Sequence, residues 1–272
     1  MGELKRRVAT GLIAAPLFLG TLYLGGYLFG AVMALIALGA QHEYYRLSAG
    51  CSATALQPIG LSVSAALVVA VLHPSWWPLV AGLLVAGLAV SPFLCSADAY
   101  LQRIAATVFG SVYPAGGLIA LLALREHVAL PSAAAVAATV WVVFAVWGTD
   151  IFAYFVGKYL GQRKLAPAIS PNKTWAGAVG GVGGALTAGA LYWMSGAFWA
   201  APMVPLLHIV LLSVLLAGAT QCGDLIQSLL KRTANTKDAG GLLPGHGGFF
   251  DRFDGMALAA PVALIYLHLL LG

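Results

Sequence analysis

The sequence predicts an all-α polytopic integral membrane protein with about nine transmembrane helices and a cytoplasmic N-terminus, and three observations lead there. Of its 272 residues 61% are hydrophobic and 8% charged, with a mean hydropathy of +0.91, where a soluble globular chain carries roughly 25% charged residues. Nine acidic and 14 basic side chains are too few to cover a water-soluble fold of this size, so lipid must solvate much of the exterior. The apolar residues also fall into nine runs of roughly 17–25 residues, the length that crosses a hydrocarbon core ~30 Å thick at 1.5 Å rise per residue. Finally, the basic residues sort by side. With Lys5, Arg6 and Arg7 in the cytoplasm, the alternation of nine spans also places Arg46, Arg103, Lys158, Arg163, Lys164, Lys173, Lys231, Arg232, Lys237 and Arg252 there and only Arg125 outside, thirteen of fourteen on one face, as the positive-inside rule requires.

Taken in order, the runs are Val8 to Leu24, Tyr27 to Leu47, Leu56 to Leu72, Pro78 to Leu94, Ile104 to Leu124, Ala133 to Val156, Trp175 to Met194, Val204 to Leu230 and Phe253 to Leu271. Gly25 and Gly26 are the only break between the first two. The opening basic flank and apolar stretch resemble a signal peptide but lack a small-x-small cleavage site, so they are expected to stay as the first helix. Residues 1–130 form a series of helices expected to act as scaffold and oligomer contact; residues 131–272 carry the two polar loops, 157–174 and 231–252, both on the cytoplasmic side. Function concentrates in such loops.

Several partner classes lose ground early. Cys51, Cys95 and Cys222 are far apart and suggest neither a disulfide framework nor a zinc cluster. A net charge of +5 would point to nucleic acid in a soluble chain, but here basic residues report topology, and no nucleic-acid partner is expected.

Charged residues inside spans are costly and mark functional sites by default. Asp150 lies eight residues before Lys158 and Asp224 seven before Lys231, so both sit roughly 10–12 Å beneath the cytoplasmic boundary and at a depth that permits a shared pocket. Gln221, Asp224, Ser228 and Lys231 form one polar stripe on the eighth run, which must face protein or water. A plain interhelical hydrogen-bond seam, or a single buried Asp–Lys pair, remains open for both aspartates.

The stretch from Ser228 to Asp254 alternates acids and bases: Ser228, Lys231, Arg232, Lys237, Asp238, His246, Gly247, Gly248, Asp251, Arg252 and Asp254. Its glycines let main-chain amides approach an anion. Asp251 and Asp254, three apart, share a face of the first turn of the ninth helix, where the helix dipole alone favours a carboxylate. Hard oxygen donors beside several cations suit a metal-bound phosphate. The shorter segment Ser170, Pro171, Asn172, Lys173, Thr174 at a helix start is a phosphate cradle by composition or ordinary capping. Gly177 to Gly189 matches no nucleotide-binding loop and reads as helix-packing contacts. His246 alone among the histidines stands in such company, and it too has the plain reading of a loop hydrogen bond.

These 27 residues resemble the signature of the phosphatidate cytidylyltransferases, the CDP-diacylglycerol synthases: Ser, Lys-Arg, Lys-Asp, His-Gly-Gly, Asp-Arg and Asp, with every fixed position filled. Ser170 to Gly177 is a supporting match, departing at Asn172 and Ala176. The direct resemblance covers about the last 120 residues. It implies transfer of CMP from CTP to phosphatidic acid with release of pyrophosphate, Mg²⁺ with a second cation such as K⁺, a homodimer, and a site facing the cytoplasm of a bacterial inner membrane. By the same resemblance Asp224 and Asp251 hold the metal; Asp224, Ser228, Lys231, Arg232, Lys237, Asp238, His246, Asp251, Arg252 and Asp254 form the catalytic set; and Asp150, Ser170, Asn172, Lys173, Thr174, Gly247 and Gly248 contact substrate.

Two rival readings fit the residues less well. Asp251, Asp254 and Gly255 mimic the start of the CDP-alcohol phosphotransferase motif, but Leu258 and Ala259 stand where it needs Ala-Arg and no further Asp follows. An ion or small-molecule transporter would use Asp150 and Asp224, yet predicts polar residues continuing toward the outer face, and the charges of the second half stop at the cytoplasmic third.

Overall fold

A computed structural model describes residues 2–50, 54–199, 204–236, 238–241 and 247–271, the side chains of 2–10 and 197–199 excepted. Lys237 and His246 lie outside the described residues, as do the side chains of Lys5, Arg6 and Arg7.

A helix stands at each predicted apolar run: α1 (Gly2–Leu24), α2 (Gly26–Gly50), α3 (Gln57–Leu72), α4 (Trp77–Leu94), α5 (Tyr100–Gly110) continuing through a π-helical turn at Ser111–Gly116 into α6 (Gly117–His127), α7 (Ser132–Leu160), α8 (Trp175–Trp199), α9 (Leu206–Thr233) and α10 (Phe250–Leu271). Among the described residues five helical stretches are both long and apolar enough to cross a bilayer: Pro74–Leu94, Ala97–His127, Ser132–Leu160, Leu206–Thr233 and Phe250–Leu271. The chain is an all-α polytopic membrane protein, and these five described stretches are candidate spans by length and apolarity. Gly25 and Gly26 adopt φ of 68° and 56°, left-handed backbone that side chains resist, and the α1-to-α2 break falls there for that reason.

One local feature differs from expectation. Residues 157–174 are not all loop: α7 runs on to Leu160, and β1 (Lys164–Ala166) pairs antiparallel with β2 (Ser170–Thr174), Lys164 opposite Thr174 and Ala166 opposite Ser170. The segment expected as a helix entrance is therefore a strand up to the α8 boundary.

The chain divides into two compact units, Met1–Leu122 with Leu230–Phe253, and Ala123–Leu229 with Asp254–Gly272. In the first, Leu22, Phe29, Met33, Ala37, Ala40 and Tyr45 are wholly buried. Gln41 Nε2 donates to Tyr45 Oη at 2.7 Å and to Ser111 Oγ at 3.0 Å, and Tyr45 Oη donates to Thr107 O at 3.0 Å, so α2 is tied to α5 and its π-helical turn by polar groups that lipid would leave unsatisfied. By contrast α4 buries only Val80 and Ser91 among its residues and exposes Val85, Leu88 and Phe93, as expected of a helix solvated by acyl chains.

In the second unit α7 and α8 meet along glycines. A Cβ added to Gly148 would lie 2.8 Å from Gly184 O, and one added to Gly177 would lie 2.8 Å from Ala153 O. The glycine run of α8 thus serves close helix packing. Trp141 and Tyr192 stack at 4.7 Å across the same pair of helices. Lower resistance to approach also marks α9 and α10, where Gly223 abuts the backbone of Asp254 and Gly255 abuts Thr220.

Candidate active site

In the unit built from residues 123–229 and 254–272, chemistry gathers around Asp224. The β-hairpin brings Lys173 to α9, and Lys173 Nζ lies 2.6 Å from Asp224 Oδ2. Lys173 Nζ also approaches Gln221 O at 3.5 Å, Ser228 Oγ donates to Asp224 Oδ1 at 3.3 Å, and Gln221 Nε2 donates to Ala178 O at 3.2 Å. The polar stripe of α9 is thus turned onto β2 and α8. Asp150 stands on α7 within electrostatic range of both Asp224 and Lys173, while the ion pair of Lys173 is with Asp224. The Asp224 side chain keeps 37% of its surface exposed and Lys173 20%, so the pair is half-open and can exchange partners.

Thr174 takes the plain role its position allowed: its hydroxyl accepts the Gly177 N–H at 3.1 Å and caps α8. Ser170 is half-buried and Asn172 exposed on β2. Asp254, on the first turns of α10, accepts the Gly255 N–H at 2.8 Å. The close crossing of α9 and α10 at Gly223 and Gly255 sets Asp224 and Asp254 on neighbouring backbones.

The other unit holds the loop residues 230–253. Lys231 Nζ lies 2.9 Å from Asp251 Oδ1, and Asp251 Oδ2 accepts the amides of Ala239 at 2.9 Å and Gly248 at 3.2 Å. Gly247 sits at φ 78°, left-handed backbone that turns the chain into α10. Arg232, Asp238 and Arg252 are exposed, Gly247 half-buried and Gly248 buried. Asp251 therefore folds its own loop, drawing residues 239 and 248 onto the start of α10, and its side chain is only 9% exposed.

Mg²⁺ suits a site of one or two carboxylates completed by phosphate oxygens. Among the described residues no three His, Cys, Asp or Glu side chains are grouped to enclose a metal ion. Asp224 meets that description, its carboxylate half-open beside Lys173. Asp251 fits less directly, since one of its oxygens already accepts two amides and the other faces Lys231.

A buried charge that the sequence reading passed over is Glu43, which the charge-in-span rule covers as well as it covers Asp150. Glu43 is wholly buried on α2, and its Oε2 accepts the Phe250 N–H at 2.9 Å.

A profile of the cytidylyltransferase family matches residues 5–270. The chain belongs to the cytidylyltransferase family. It is 35% identical over 277 aligned residues to the phosphatidate cytidylyltransferase of Brucella melitensis biotype 1, covering 98% of this chain and 93% of that one. It is 29% identical to the phosphatidate cytidylyltransferase of Synechocystis sp. over 98% of this chain and 97% of that one. The enzyme of the same name from Bacillus subtilis is 44% identical over 124 residues, 46% of this chain and 45% of the relative. Cytidylyltransferase relationship thus extends into the first 130 residues, where the sequence signature offered nothing beyond apolar helices.

Proposed function

We propose that this membrane cytidylyltransferase transfers CMP from CTP to phosphatidic acid, giving CDP-diacylglycerol and pyrophosphate, at the cytoplasmic leaflet of a bacterial inner membrane. The observation that carries the reading is full-length identity of 35% to a phosphatidate cytidylyltransferase. The half-open Asp224–Lys173 pair near the C-terminal end of α9 supports it.

An ionised oxygen of phosphatidate attacks the α-phosphorus of CTP in line with the bond to the β-phosphate. That oxygen–phosphorus bond forms, the α–β bridge breaks, and pyrophosphate leaves with the bonding electrons. The nucleophile is already an anion near neutral pH, so no side chain has to remove a proton. Positioning and charge neutralisation then supply most of the acceleration. Lys231, Arg232, Lys237 and Arg252 orient the phosphates, Asp150, Ser170, Asn172, Lys173, Thr174, Gly247 and Gly248 border the substrates, and Asp238 and His246 organise the loop. Mg²⁺, when bound, neutralises the phosphate oxygens and the developing charge on pyrophosphate. Asp224 is the carboxylate best disposed to hold it; Asp251 would do so only with the lone pairs its loop amides leave. A second cation such as K⁺ and a homodimer complete the reading.

Purified protein in liposomes of phosphatidic acid should convert CTP to CDP-lipid and pyrophosphate in equal amounts, stop on chelation and resume with Mg²⁺. Asp224→Asn should remove most turnover with the fold intact. Absence of conversion alongside ion or solute flux through the same liposomes would replace the enzyme by a transporter.

A further inference from the structure

We infer that Glu43, on α2, is a positioning residue for the loop of residues 247–252, fixing the first turn of α10 and with it the direction of Asp251 and Arg252. The inference rests on the reading of that loop as part of the cytidylyltransferase site.

Four observations within one compact unit meet at this point. The Glu43 carboxylate, wholly buried, accepts the Phe250 N–H at 2.9 Å, the first residue of α10. A carboxylate there satisfies an otherwise orphaned helix amide and meets the positive end of the helix dipole. Gly240 and Gly248 both press their α-carbons against that carboxylate, leaving no room for a Cβ on either. One turn earlier on α2, a Cβ on Gly39 would lie 2.7 Å from the Phe249 ring. One residue later, Tyr44 meets the buried Phe250 ring edge-on at 6.5 Å. Residues 39, 43 and 44 of α2 therefore grip residues 248–250 by shape and by charge.

Gly248 is held from both sides: its N–H donates to Asp251 Oδ2 at 3.2 Å while its α-carbon rests on Glu43. Asp251 gathers the loop from within, and Glu43 anchors it to a helix that belongs to the first 130 residues. The glycines of this loop are accordingly required by the buried glutamate as much as by a phosphate.

Glu43→Gln keeps an acceptor for the Phe250 amide but removes the charge and introduces a donor against two glycine α-carbons. Three quantities should be measured on the full-length variant in liposomes: kcat and KM for CTP, the thermal midpoint, and hydrogen exchange of the amides of residues 247–252. The expected result is a kcat lowered about five- to tenfold, the scale by which a hydrogen bond to a charged acceptor exceeds one to a neutral acceptor, with faster exchange in 247–252 and a midpoint within a few degrees of wild type. Wild-type kcat with wild-type exchange overturns the inference, as does a fall in rate that only tracks the folded fraction. If Glu43→Gln fails to fold, Gly248→Ala, which drives a methyl into the same contact while leaving α2 unchanged, must show the same loss; wild-type turnover in that variant overturns it. Exchange does not depend on activity, so a wild-type protein without CTP turnover would refute the enzyme reading while leaving the Glu43 contact independently decided.

Discussion

Replacing Lys173 by methionine keeps the length and apolar stem of the side chain and removes the ammonium that sits 2.6 Å from Asp224. Two unit charges at about 4 Å attract by about 4 kcal/mol at an effective dielectric constant near 20. That figure must be reduced here, because Asp224 keeps 37% and Lys173 20% of side-chain surface in contact with solvent, and fully exposed pairs contribute about 1 kcal/mol or less. A charged hydrogen bond in such a half-open setting is expected to contribute about 1.5–2 kcal/mol, which is roughly a ten- to thirtyfold change in rate if it orients Asp224 in the transition state. The assay is kcat/KM for CTP-dependent formation of CDP-lipid in phosphatidate liposomes, for Lys173→Met, Asp224→Asn and the double variant. Because the two side chains act through each other, the double variant should be hardly slower than Asp224→Asn alone, a coupling of about 1.5–2 kcal/mol. Costs that multiply, with coupling below about 0.5 kcal/mol, would refute the idea that the lysine acts through this aspartate.

Two stability predictions follow from the second unit. Thr174→Val removes the hydroxyl that accepts the Gly177 N–H and should lower stability by about 1 kcal/mol, read as a lower unfolding midpoint in detergent, whereas an unchanged midpoint would mean that another group caps α8. Gly184→Ala drives a methyl into the backbone of Gly148, while Gly183→Ala enters open space; the first should cost about 1–3 kcal/mol and the second almost nothing, and equal midpoints for the two would show that α7 and α8 do not rely on glycine contact.

The helices were legible because a bilayer demands long apolar runs, and each run imposes its own length on the chain. The break at Gly25 and Gly26 was visible for a similar reason, as two residues without side chains in an otherwise unbroken apolar stretch. The pairing of β1 with β2 was not. Eleven residues from Lys164 to Thr174 with two prolines and two lysines show no alternation long enough to signal a strand. The π-helical turn at Ser111–Gly116 likewise leaves no periodic mark over six residues. In the candidate site, Asp224, Asp251 and the lysines could be named from their company in the chain. Their partners could not, since Lys173 and Asp224 lie 51 positions apart and only packing joins them. Glu43 shows the same limit from the other direction: its charge was plain, but what it faces is settled 207 residues further on.

The bare flank of α4 has its own evolutionary corollary. A helix that buries only Val80 and Ser91 asks of its exposed positions, such as Val85, Leu88 and Phe93, merely that they dissolve in hydrocarbon, so Leu, Ile, Val, Phe and Met can replace one another there with little cost to folding. Drift at the exposed positions of Trp77–Leu94 should be rapid in identity and slow in polarity, the reverse of Gly148 and Gly184, where size alone is policed.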